Sequence, residues 1–224
     1  MGLTEKDVIA RRIAINAAEI INQMKGAHLV NLGIGMPTQV SNFITSNNIY
    51  LHAENGMIGI GPLAVGDQID MQCINAGRQP VTEIKGSVYI DSSEAFGMIR
   101  GGHVSMTVLG AFQVDQGGNI ANWINPAGKQ LGVGGAMDLV KGASRVMIAM
   151  THTNDGKPKL VKKCTLPVTA YREADVVITE LGVFCYEEGR VILRKIAPDT
   201  TVEHIRSVTE VEFELAGSTE HMIT

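Results

Sequence analysis

His28-Leu29-Val30-Asn31-Leu32-Gly33-Ile34-Gly35-Met36-Pro37 changes its conformational preference twice within one short stretch. The apolar run reads as a strand, the glycines break it, and Pro37, with φ already near the helical value, is placed to open a helix over residues 38–44. Strand, glycine turn and helix form the unit from which layered α/β sheets are built. Upstream, Thr4 and Asp7 make a capping-box pattern, and Val8, Ile9, Ile13, Ala17, Ile20, Ile21 and Met24 recur at helical spacing until Gly26. Downstream, a second strand over 49–53 ends at Glu54-Asn55-Gly56, whose Asn-Gly pair favours a tight turn. Gly56, Gly59 and Gly61 then thin the side-chain layer and let another group approach the backbone. Further strands are expected at 81–84, 104–109, 146–150 and 176–179, with a hairpin across 183–196 turning at 187–190 and a final helix over 200–208. The alternation predicts an α/β fold with a layered sheet. One domain is expected over residues 1–216, with 217–224 as a fraying tail.

Composition narrows the class of function. The chain has 224 residues, 45% hydrophobic and 19% charged, and a domain of this size buries roughly 70% of its unfolded surface without needing staples. Cys73, Cys164 and Cys185 are odd in number and lack C-x-x-C spacing, which fits a reducing compartment and argues against a structural zinc. A net charge of −4 is the reverse of a nucleic-acid footprint. The first twelve residues mix charges of both signs without an apolar segment, and no long apolar run follows, so a cytoplasmic protein with no membrane partner is expected.

Few residues offer chemistry. Glu54 lies where a strand ends and glycines begin, the position at which α/β sheets present reactive groups. It is either a carboxylate nucleophile or a solvated turn residue. Gly132-Val133-Gly134-Gly135-Ala136-Met137-Asp138 leads into a helix and is either a donor loop for phosphate or a developing oxyanion, or a tight packing turn. It is not G-x-G-x-x-G, and G-K-[ST] is absent, so ATP and dinucleotides are weakly supported. None of the six histidines forms a zinc pair, and there is no G-x-S-x-G elbow. His52 falls on the same strand face as Glu54, either tuning it or simply lying partly buried. Lys157, Lys159, Lys162 and Lys163 read as a solvated basic loop or as a contact for an anionic cofactor.

Five separated motifs then converge. They are Asn31-Leu32-Gly33-Ile34-Gly35-Met36-Pro37, Glu54-Asn55-Gly56 with the following G-I-G-P, Arg100-Gly101-Gly102-His103, Ala121-Asn122-Trp123, and Gly134-Gly135-Ala136-Met137-Asp138-Leu139-Val140. In this order, from about Ile9 to about Phe213, they resemble the β subunit of class I 3-oxoacid CoA-transferases. The resemblance implies a three-layer α/β/α fold with a mixed, largely parallel sheet. It also implies that Glu54 forms a glutamyl–CoA thioester in a ping-pong reaction, with coenzyme A as substrate and no permanently bound cofactor or metal. Backbone contacts to CoA and the thioester oxygen would fall on Gly132, Gly135 and Ala136, with Asn31 and Asn122 as side-chain contacts. Arg78 stands where the family often has Lys and keeps the charge with a different donor geometry. His52-Ala53 replaces Gln-Ser, and the usual Pro-Gly-Lys becomes Pro126-Ala127-Gly128-Lys129.

The family's α half carries its own glycine-rich motif, which this chain lacks. The resemblance therefore implies a separate α subunit, as α2β2 or larger. Acetoacetate with acetate or butyrate is the expected substrate set, and succinate the alternative. Rival readings are a glutaconate-type transferase subunit, a thioesterase in which water intercepts the thioester, and a ligand-sensing module that does no covalent chemistry.

Overall fold

A computed structural model describes residues 4–125, 127 and 132–224. Helix α1 (Glu5–Asn22) starts at the expected capping box: Thr4 Oγ1 accepts from the Asp7 N–H, and the Asp7 carboxylate accepts from the Thr4 N–H at 2.9 Å. Strands β1 (His28–Leu32), β2 (Ile49–Ala53), β3 (Met57–Leu63) and β4 (Val81–Tyr89) follow. Helix α2 (Ser92–Arg100), capped by Asp91, leads to β5 (Met106–Leu109), β6 (Gln113–Asp115) and β7 (Ile120–Ala121). Next come α3 (Ala136–Gly142), β8 (Val146–Ala149), β9 (Thr153–Asn154), β10 (Lys157–Pro158), β11 (Leu160–Val161) and β12 (Val176–Ile178). The chain closes with β13 (Gly182–Glu187), β14 (Arg190–Ile196), α4 (Val202–Ser207) and β15 (Glu214–His221).

Ten strands form one sheet in the order β15-β14-β13-β12-β8-β5-β1-β2-β3-β4. Its central strands, β12-β8-β5-β1-β2, are parallel. Strand alternation divides the core into two layers. Met106, Val108, Met147, Ala149, Val176 and Ile178 pack with Ile13, Ala17 and Ile21 of α1. Leu109, Val146, Ile148 and Val177 pack on the other face with Ile99 of α2 and Leu139 and Val140 of α3. The three-layer α/β/α arrangement with a mixed, largely parallel sheet follows from this alternation.

Three differences from the sequence reading have physical causes. Met36–Phe43 is a 3-10 helix rather than an α-helix: Thr38 and Ser41 hydroxyls bond the Gly35 and Thr38 carbonyls, drawing acceptors away from the α ladder. Strand β3 was hidden by Gly59 and Gly61, yet a Cβ on either would crowd Ser87 or Thr82 of β4. The expected fraying tail is corrected: β15 pairs parallel with β14, Met222 is buried, and Asn16 of α1 holds the Ile223 N–H and carbonyl at 3.0 and 2.8 Å.

Candidate active site

Glu54 sits at the tip of the β2–β3 hairpin. Ala53 pairs with Met57, and the Gly56 N–H closes the three-residue loop on the Ala53 carbonyl at 3.0 Å. Gly56 adopts φ +119°, and a Cβ there would lie 2.1 Å from the Ile90 carbonyl oxygen, so the position requires glycine. The Ile90 N–H returns to the Gly56 carbonyl at 3.0 Å and ties the hairpin to the chain entering α2.

Beneath Glu54 a polar row crosses three parallel strands. Asn31 of β1 is in register with His52 of β2 and Thr107 of β5, and all three are fully buried. Asn31 Nδ2 donates to Glu54 Oε2 at 3.0 Å and to the His52 carbonyl at 3.1 Å. Among the described residues, Asn31 Oδ1, His52 Nε2 and Thr107 Oγ1 are buried without hydrogen-bond partners. Buried polar atoms left unpaired call for an explanation, and a position beneath the Glu54 carboxylate supplies one. Burial pushes the His52 imidazole below its ordinary pKa, against the pull of the Glu54 charge, so the ring is neutral at neutral pH. His52 reaches Glu54 through the Asn31 amide.

The glycine loop faces the carboxylate. Gly132 and Gly134 take φ of +82° and +50°, and Gly135 caps α3. A Cβ on Gly135 would lie 3.6 Å from Glu54 Cγ and 3.2 Å from Phe96 Cζ, so the loop rests directly against both side chains. The Ala136 N–H donates to the Val133 carbonyl at 3.0 Å and is thus engaged within the loop. Asn122 is held by Thr169, whose hydroxyl donates to its Oδ1 at 2.7 Å, leaving the amide NH2 as the end with donors to offer.

A cleft of about 480 Å³ gathers Glu54, Asn122, Gly132, Gly135 and Ala136, with Thr151 and Lys159 also in its lining. The structure thus brings together all the expected residues except Arg78, with Asn31 buried behind Glu54. Arg78 is exposed at φ +62° in a turn closed by its N–H on the Asn75 carbonyl at 2.9 Å. That turn borders a second cavity of about 550 Å³, which meets the first at Ile34. Lys159 separates from its exposed neighbours Lys157, Lys162 and Lys163 by lining the cleft. The signal was its setting, because Pro158, Leu160 and Val161 make an apolar frame unlike that of a solvated loop. Most of Pro126-Ala127-Gly128-Lys129, where the sequence departs from the family pattern, lies outside the described residues.

A model of the family Coenzyme A transferase matches residues 14–207. The β subunit of the acetate CoA-transferase of Haemophilus influenzae is 43% identical over 222 residues, 98% of this chain and 96% of that protein. The B-type subunit of a probable succinyl-CoA:3-ketoacid coenzyme A transferase of Bacillus subtilis is 42% identical over 200 residues, 88% of this chain and 93% of its own length. Among solved structures, the acyl-CoA transferase YdiF from Escherichia coli O157:H7 shares the fold at a TM-score of 0.75 and 20% identity, covering 100% of this chain and 44% of that one. With a cleft that sets a hairpin carboxylate against a glycine loop, and matches along nearly its whole length, the chain belongs to the coenzyme A transferase family.

Proposed function

We propose that this chain is the β subunit of a CoA-transferase that moves CoA between an acyl-CoA and a short-chain carboxylic or 3-oxo acid, with Glu54 as nucleophile and a separate α subunit completing the site. One observation carries the reading: Glu54 is held by the Asn31 amide and rests against the glycine loop inside a cleft. Relatives named as the β or B-type subunits of acetate and 3-ketoacid transferases support the α partner and the acetate or 3-oxo acid substrates.

The chemistry proceeds in two exchanges. A Glu54 oxygen attacks the acyl carbonyl, the C–S bond breaks, and CoA departs as the thiolate, leaving a mixed acyl–glutamyl anhydride. The thiolate then attacks the Glu54 carbonyl carbon, the anhydride C–O bond breaks, and the first acid departs as a carboxylate. A second acid reverses both steps and leaves with CoA. One thioester is exchanged for another throughout, so the reaction needs no ATP. Asn31 holds the carboxylate from below, and the glycine loop offers backbone donors where oxyanion charge develops.

The test is a trap. The α·β complex is incubated with acetoacetyl-CoA without acceptor acid, the thioester is cleaved with borohydride, and peptides are mapped by mass. Modification confined to the Glu54 peptide is expected, and Glu54→Gln should lower turnover by roughly 10³-fold or more while CoA still binds. An unmodified Glu54 in a complex that binds CoA would move the assignment to the ligand-sensing reading. Release of free CoA without an acid acceptor would favour the thioesterase instead.

A further inference from the structure

The cleft contains two residues that titrate, Glu54 and Lys159, and Lys159 is the only cation in its described lining. The two make no ion pair with each other, so the cleft separates a nucleophilic carboxylate from an ammonium. The Lys159 backbone is clamped on both sides: its N–H donates to the His152 carbonyl at 3.0 Å, and its carbonyl accepts from the Val114 N–H at 2.9 Å. Leu160, the next residue, is fully buried. The side chain is therefore presented from a fixed backbone, with Nζ 3.5 Å from the hydroxyl of Thr151, another lining residue.

Resting on the transferase reading, we propose that Lys159 binds the reacting carboxylate of the free acid and orients it toward the glutamyl thioester at Glu54. One carboxylate oxygen attacks the Glu54 carbonyl carbon and the C–S bond breaks. The other oxygen stays on the ammonium, which keeps its proton throughout. In the reverse direction the same ammonium receives the carboxylate that leaves the anhydride. A lone, half-buried ammonium matches a singly charged carboxylate; the multiply charged phosphates of CoA call for clustered cations in contact with water.

The groups around Lys159 fit this role. Glu180 behind it accepts the His152 N–H at 2.8 Å, and Arg12 bonds the Glu180 carbonyl at 3.2 Å. His152 is fully buried between Thr179 and Thr209 and stays neutral at neutral pH. Glu54 is the negative charge within the cleft. Burial draws Lys159 down to about 8 against the pull of Glu180, so an anion beside it relieves an ammonium that the fold leaves poorly solvated.

The experiment uses the α·β complex as wild type, Lys159→Met and Lys159→Arg. The wild-type borohydride trap comes first and judges the Glu54 reading on its own. Glutamyl–CoA enzyme accumulated without acceptor acid, and not treated with borohydride, is then titrated with acetate, butyrate and succinate, and its formation is titrated with acyl-CoA. In Lys159→Met the half-saturating acid concentration should rise roughly ten- to a hundredfold, with the acyl-CoA value within about twofold. The thermal midpoint should hold or rise, because a poorly solvated charge is gone. Lys159→Arg should recover part of the acid affinity and keep it at a pH above about 8, where the wild type loses its own. A rise confined to acyl-CoA would assign Lys159 to the CoA phosphates and overturn the proposal. Unchanged constants, or a lowered midpoint with both constants rising together, would overturn it as well.

Discussion

Asn31 bonds both the Glu54 carboxylate and the His52 carbonyl, so a change at position 31 acts first on where that carboxylate stands. On the proposed reading, Asn31→Ala should lower turnover about ten- to a hundredfold while thioester still forms on Glu54, a separation the borohydride trap can read. His152 concerns stability instead. Both its ring nitrogens bond threonine hydroxyls, and burial lowers its pKa from 6.5 to about 4. Between those values the unfolded chain binds the proton and the folded chain does not. Stability therefore falls as the pH drops below 6.5, and the loss, about 3 kcal/mol, is complete below about 4. Denaturant titrations across that window should show a shallower slope in His152→Gln. Glu54 was legible in the sequence as a carboxylate at a strand end. The setting of Asn31 was not, because it depends on β1, β2 and β5 meeting in register, and Lys159 was marked only by its apolar frame.

Among the elements, α2 connects the two halves of the site. The Gly56–Ile90 bond ties the Glu54 hairpin to the chain entering α2, and Phe96 supports Gly135. Gly142, at the end of α3, packs so closely on α2 that a Cβ would lie 2.1 Å from the Ile99 carbonyl oxygen. Gly142→Ala should therefore push α2 and α3 apart and destabilise by about 2 kcal/mol or more. Gly97→Ala, in α2 with nothing within 4 Å, should stabilise by up to ~1 kcal/mol. Thermal midpoints of the two variants should move in opposite directions. Local pattern made α1 readable from its cap and apolar spacing. It concealed β3, whose glycines serve contacts on β4, and β15, whose mostly exposed residues give little apolar alternation.

Across the whole molecule, large apolar side chains stand exposed after β1 and around the β4 edge of the sheet. Ile34 is 68% exposed, Val65 67% and Met71 68%, and Ile69, Val88 and Tyr89 join them on β4 and the loop before it. Ile34 lines the cleft as well, so this exposed apolar surface begins at the site. A patch of this kind marks a protein interface, and on the proposed reading the α subunit covers it. Amide exchange over residues 57–89 should slow when α is added, while β14 and β15 at the opposite edge keep their rates. The layered sheet could be foreseen from alternating elements, whereas this surface could not, since its residues look like ordinary core until the sheet ends beside them. The buried row of Asn31, His52 and Thr107 carries a lesson for protein engineering. A search for stabilising substitutions ranks such orphaned polar atoms first, and Thr107→Val alone promises about 1 kcal/mol. Extending that repair along the row to Asn31 would remove the amide donor to Glu54, so thermostability is better sought at sites such as Gly97, away from the strands under the carboxylate.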